Sequence, residues 1–424
     1  MLSLPALDER GAIGGIAPCD PRDPRACLPC ANGHDPPVTS APIAEPAVLA
    51  PARPRRWEGL GELLLVGGLT PVLFAVSWLL RKGLGLATAE LAVGFTMFHA
   101  AHVLNDPHFS VTYVLFYRDA RARALGGAFE PAQRARYVFA GFVVPLVLAT
   151  WAIAGLATRS ALVLGWMIQL MFLLVGWHYV KQGFGAMVVL AARRGVAFRP
   201  RERLAILAHC YAGWAHAWAT HAAPGKEVEE KGLVYTNLAT PAGLDRVTRV
   251  AAVATLILLA ASLFDKWRRE GRLPLVTPLV ALLCSVWSWS IWSGVDPLVR
   301  YVVPALHSVQ YLYFVRLLEG NEAREREGPP WFEPSARVRL GILAASALGL
   351  GWLLFHGAPW ALDDGFVRPR DRASALGPTP CFAMLYTFVN IHHYFMDYVI
   401  WRRENPRTRY LVAASSRAAS ATSG

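Results

Sequence analysis

Seven stretches of 18 or more consecutive residues carry no Asp, Glu, Lys or Arg: Leu63–Leu80, Tyr137–Thr158, Ser160–Val180, Leu204–Gly225, Leu273–Val295, Leu340–Leu362 and Ala373–Met396. A helix needs about 20 apolar residues to cross a hydrocarbon core of roughly 30 Å. Inside lipid the backbone must satisfy its own polar groups, so such runs are expected as helices. Composition agrees: 54% of the 424 residues are apolar and the mean hydropathy is +0.33. Soluble domains reach about 45–50% only when glycine is included.

Three further segments are interrupted yet long enough. Gly83–Leu104 contains Glu90, Val247–Phe264 has Arg249 near one end, and Leu298–Leu318 carries Arg300 and Arg316 near its two ends. Long basic side chains near a helix end can reach the headgroups. The expected fold class is therefore all-α, a polytopic membrane helical bundle of about ten transmembrane helices.

A net charge of +12 raises the question of nucleic acid, but its distribution points elsewhere. Basic residues gather in alternate connections, such as Arg118, Arg121 and Arg123, then Arg193, Arg194 and Arg199, then Lys266, Arg268 and Arg269, and finally Arg402, Arg403 and Arg407. That is the bias of cytoplasmic loops, and it places both termini in the cytoplasm. The expected partners are membrane lipids, with no nucleic acid. Residues 1–56, rich in Pro and Ala, read as a flexible cytoplasmic tail, 57–404 as the membrane domain and 405–424 as a second tail. In the first tail Cys19, Cys27, Cys30 and His34 form either a small zinc knuckle or an incidental cluster.

The helix beginning at Ser160 poses a length problem. Its apolar character runs past Lys181 and Gln182 to Ala192. At 1.5 Å per residue that is roughly 50 Å, so it must tilt, project beyond the membrane or break near Gly183 and Gly185.

Histidine is the residue that carries chemistry here. His99 and His102 are expected near the cytoplasmic end of the second span, followed by His108. His178 lies toward that end of the fourth span, His307 near the middle of the eighth, and His392 and His393 in the cytoplasmic third of the tenth. Only His221 and His356 are expected at the opposite surface. Ionisable groups within a membrane are costly and usually functional. His99 and His102 are spaced i, i+3 and can share a helix face; His393 and Asp397 are spaced i, i+4, which suits joint ligation or a carboxylate orienting an imidazole. The candidate metal ligands are His99, His102, His108, His178, His307, His392, His393 and Asp397. The pairs His99/His102 and His392/His393 are expected to approach one another.

The His99/His102 pair and the Asn390-Ile391-His392-His393 run resemble the histidine boxes of the integral-membrane oxygenase class that includes fatty-acid desaturases, hydroxylases and carotenoid-modifying enzymes. The first box is shorter than usual and the central box with adjacent histidines is missing. The resemblance implies a non-haem iron centre, di-iron in that class, acting on a lipid or isoprenoid substrate with an electron-transfer partner. Two other readings stand beside it. Histidines from two helices can bind haem, or histidines can relay protons in a transporter. No His-Glu-x-x-His, P-loop, Gly-x-Ser-x-Gly or dinucleotide fingerprint occurs in the chain.

Overall fold

The computed structural model describes residues 56–412 except 128, 222, 272–275, 293–296 and 367–375. The cysteine cluster of the first tail lies outside the described residues. Helix dominates: α1 (Gly59–Leu84), α2 (Leu86–Ala101), α3 (Asn105–Tyr117), α4 (Ala120–Leu125), α5 (Pro131–Ala157), α6 (Ala161–Ala192), α7 (Pro200–Ala219), α8 (Leu244–Glu270), α9 (Val276–Ile291), α10 (Pro297–Arg326), α11 (Ala336–Gly365) and α12 (Pro380–Ile400). A two-stranded antiparallel hairpin, β1 (Glu227–Glu230) and β2 (Leu233–Thr236), joins α7 to α8. After α12 a short turn leads to α13 (Arg409–Val412), whose Tyr410 and Leu411 are buried.

Five helices are long and apolar enough to cross a membrane: α1, α5, α6, α8 and α11. Their outer faces carry large apolar side chains such as Phe142, Ile153, Ile257 and Trp352, all exposed. An apolar exterior on an apolar helix is what a lipid-facing surface requires. Helix α6 runs unbroken for 32 residues. Of the three alternatives for this helix, the break near Gly183 and Gly185 does not occur, which leaves tilt or projection beyond the membrane. Instead Gly183 lets α9 approach, because a Cβ there would lie 2.5 Å from that of Ser285.

One segment departs from its expected form. The second span does not end at Leu104. The chain turns at residues 102–104 and resumes as α3, and both α2 and α3 run alongside α10 in the same direction. Gly94 faces Tyr301, Ser308 bonds to Asn105, Thr112 meets Tyr311 and Arg118 meets Glu319. On its other side α3 packs closely on α11. Ser110 donates to the Ala347 carbonyl at 2.5 Å, and a side chain at Gly351 would lie 2.9 Å from the Asp106 backbone.

The two ends of the bundle differ in chemistry. At one end ion pairs tie helix termini together: Glu62 to Arg194, Lys266 to Glu202 and Glu270, and Arg407 to Glu319 and Glu322. At the other end sits the hairpin, where the Lys231 carbonyl accepts from Thr379 Oγ1 at 2.9 Å. Nearby the Asp363 carboxylate caps α12 by accepting from the Cys381 and Phe382 amides.

Candidate metal centre

Four helices deliver one buried polar group into an otherwise apolar interior. His108 comes from α3, His178 from α6, His307 from α10, and His393 with Asp397 from α12. One donor atom from each of His108, His178, His393 and Asp397 lies within 4.8 Å of the others. His307 joins through its Nε2, 3.0 Å from His178 Nε2. Asp397 Oδ2 is 3.3 Å from His393 Nε2 and 3.7 Å from His178 Nε2. All five side chains are buried.

Several buried polar atoms of this group are short of partners. His108 Nε2, both ring nitrogens of His393 and Asp397 Oδ2 are buried and make no hydrogen bond among the described residues. Each such atom costs about 1–3 kcal/mol if nothing compensates it. A cation at their meeting point would satisfy several at once. A metal bonded to imidazole at about 2.1 Å holds neighbouring donors about 3.0–3.4 Å apart, which brackets the two shorter separations here. The group fits a metal ion, and this donor set does not by itself choose which.

His108 and Asp397 are held from behind, whereas His307 Nδ1 has no hydrogen-bond partner among the described residues. Ser308 donates to Asn105 Oδ1 at 2.9 Å, so the His108 Nδ1–H at 3.1 Å must be the donor to Ser308. That tautomer leaves the His108 Nε2 lone pair aimed at the group, the usual arrangement behind a ligand histidine. Asp397 Oδ1 accepts from the Tyr311 hydroxyl at 2.7 Å and from Trp401 Nε1 at 3.2 Å, which leaves Oδ2 for the centre. Aromatic rings close the surroundings. Tyr179 packs on His307 at 4.3 Å between centroids, Tyr394 on His178 at 4.8 Å, and Phe109 on His393 at 4.8 Å.

Three candidate ligands lie elsewhere. His99 is exposed on α2, its ring against Phe95 and Phe98. His392, next to His393 in sequence, points to a different face of α12, where Nδ1 meets the Tyr113 hydroxyl at 3.0 Å and Nε2 meets the Ala140 carbonyl at 3.1 Å. The expected approach of His99/His102 to His392/His393 is corrected accordingly. His102 instead belongs to a second group with Asp106 and His356. There His356 Nε2 stands 2.8 Å from Asp106 Oδ2, and the His102 and His356 rings are 4.2 Å apart. His356 was expected at the far surface and His102 at the near one. Because the chain continues through α3, both sit within the bundle.

Sequence reasoning passed over Tyr311 and Trp401, although each follows a ligand candidate by four residues and so shares its helix face. A cavity of about 730 Å³ lies on the hairpin side of the centre. Aromatic side chains including Phe172, Trp214 and Trp289 line it, Glu229 and Lys231 border it, and Tyr179 forms a wall shared with the centre. Comparison with protein-family models, with curated proteins and with solved structures found no match to this chain. The desaturase-like resemblance thus rests on its motifs alone.

Proposed function

We propose that this protein is an integral membrane, metal-dependent oxidoreductase of the desaturase or hydroxylase kind, with non-haem iron held by His108, His178, His307, His393 and Asp397. The observation that carries the reading is the convergence of four imidazoles and one carboxylate from four helices, with unpartnered donor atoms facing one another. Iron in an imidazole and carboxylate environment supplies O₂ activation. The chain's own residues hold and orient the ligands: Ser308 sets the His108 tautomer, and Tyr311 and Trp401 fix Asp397. The largely apolar, aromatic lining of the cavity suits a lipid or isoprenoid chain, with Glu229 and Lys231 at its border available to a polar headgroup.

The Arg and Lys bias supports placing the ion-paired end, and both termini, in the cytoplasm, with about ten crossings in all. On that arrangement the centre lies about 18 Å along α10 from the ion-pair layer, counting twelve residues from His307 to Glu319 at 1.5 Å each. Electrons from a cytoplasmic partner would arrive from that end and substrate from the cavity side. The 3.0 Å between His178 and His307 nitrogens favours non-haem iron over haem. Two histidines in direct nitrogen-to-nitrogen contact would not hold a haem between them.

The test is to purify the protein in detergent, measure its metals and absorption spectrum, and compare membrane lipids of cells with and without it. Iron, no Soret band and a change in lipid unsaturation or hydroxylation are expected. A Soret band, or unchanged lipids beside a metal-free protein, would overturn the reading.

A further inference from the structure

We propose that His102, Asp106 and His356 form a second, separate metal site that opens onto the cavity. One donor atom of each lies within 4.8 Å of the other two. His102 Nδ1 is buried and has no hydrogen-bond partner among the described residues. Two imidazoles and one carboxylate are the ligand set that leaves coordination positions free for small molecules or substrate. Asp106 and His356 line the cavity, whereas none of the five residues of the first centre does.

Local structure is bent to make this site. His102 occupies the turn between α2 and α3, and His356 sits in a π-helical segment, Leu353–Gly357, within α11. Such a bulge shifts a side chain off the regular helical phase and recurs at functional positions. Gly351 allows α11 to close on the Asp106 backbone. Asp106 and His108 are two residues apart on α3, roughly 200° around its axis, so one helix serves two sites on opposite faces.

This site is independent of the oxidoreductase reading, and cobalt(II) separates the two. The purified full-length protein, stripped with chelator and titrated with Co(II), should take up about two equivalents and develop visible ligand-field bands. His102→Ala and Asp106→Asn should each take up one equivalent fewer, with loss of one set of bands. His393→Ala should lose the other set. His102 is only half-buried, so its variant decides the matter if Asp106→Asn fails to fold. Uptake by His102→Ala equal to wild type, or no uptake by wild type, overturns the second site. A single equivalent that His393→Ala keeps and His102→Ala loses supports the second site and overturns the first.

Discussion

His178 and His307 meet Nε2 to Nε2 at 3.0 Å, two imidazoles from different helices sealed from solvent by Tyr179 and Tyr394. At that distance the two nitrogens share either one proton or one cation. Only the second alternative also accounts for the unpartnered atoms of His108, His393 and Asp397 beside them. His307→Ala separates these alternatives. A simple hydrogen bond contributes about 0.5–1.5 kcal/mol to stability and its loss would leave metal content alone. The expected outcome is a fall in metal affinity of at least about tenfold, the lower bound for disturbing even an outer partner of a ligand. Competition with a chromogenic chelator measures it.

Tyr311 donates to Asp397 and also meets Thr112 Oγ1 at 2.6 Å, so it links α3, α10 and α12 through one hydroxyl. Tyr311→Phe keeps the ring and removes that link. It should cost about 1–3 kcal/mol in unfolding stability and weaken metal binding about 10–100-fold. Thermal unfolding with and without added metal distinguishes the two effects.

The cavity and the centre should be separable. Ala305 lines the cavity but is no part of the ligand group. Ala305→Phe should fill that space, abolish product formation from a long-chain substrate and leave the metal content at the wild-type level. Lipid analysis paired with elemental analysis checks both halves of the statement.

At the ion-paired end, burial alone would raise the Glu319 carboxyl, but Arg407 and Arg118 outweigh it and hold it below the ordinary carboxylate range. A depressed carboxylate contributes stability that is complete above its unfolded pKa and is lost as pH falls through the folded value. Arg407→Gln removes the cation shared by Glu319 and Glu322 but leaves Arg118 on the first and Arg326 on the second, so the cost is about 1.5–3 kcal/mol near neutral pH. The deficit should shrink in acid, as the carboxyls protonate. Unfolding midpoints of wild type and variant across pH 4–8 test this.

Depth along an apolar span can be counted from its ends, and that brought out His178, His307 and His393, whereas His108 was expected just beyond the second span. His108, His178, His307, His393 and Asp397 all belonged to the expected ligands, and the structure brings them together. Azimuth was harder to read. His392 and His393 differ by about 100° around α12, and only packing shows that the second faces the group while the first faces Tyr113. The turn at residues 102–104 breaks the helical phase on which the His99/His102 pairing relied. That same turn, marked in the sequence only by Asn105-Asp106-Pro107 at the start of α3, hid the continuation into α3 and so the meeting of His102, Asp106 and His356.

Metal content per chain, compared between wild type and Asp397→Asn, bears most directly on the centre. Asn keeps an oxygen to accept from Tyr311 and Trp401 but removes the charge facing the imidazoles, so the fold should persist. The account predicts near-stoichiometric metal in wild type and its loss, by more than about tenfold, in the variant. A folded variant that retains the wild-type metal content, or a wild-type protein that binds none, would contradict it.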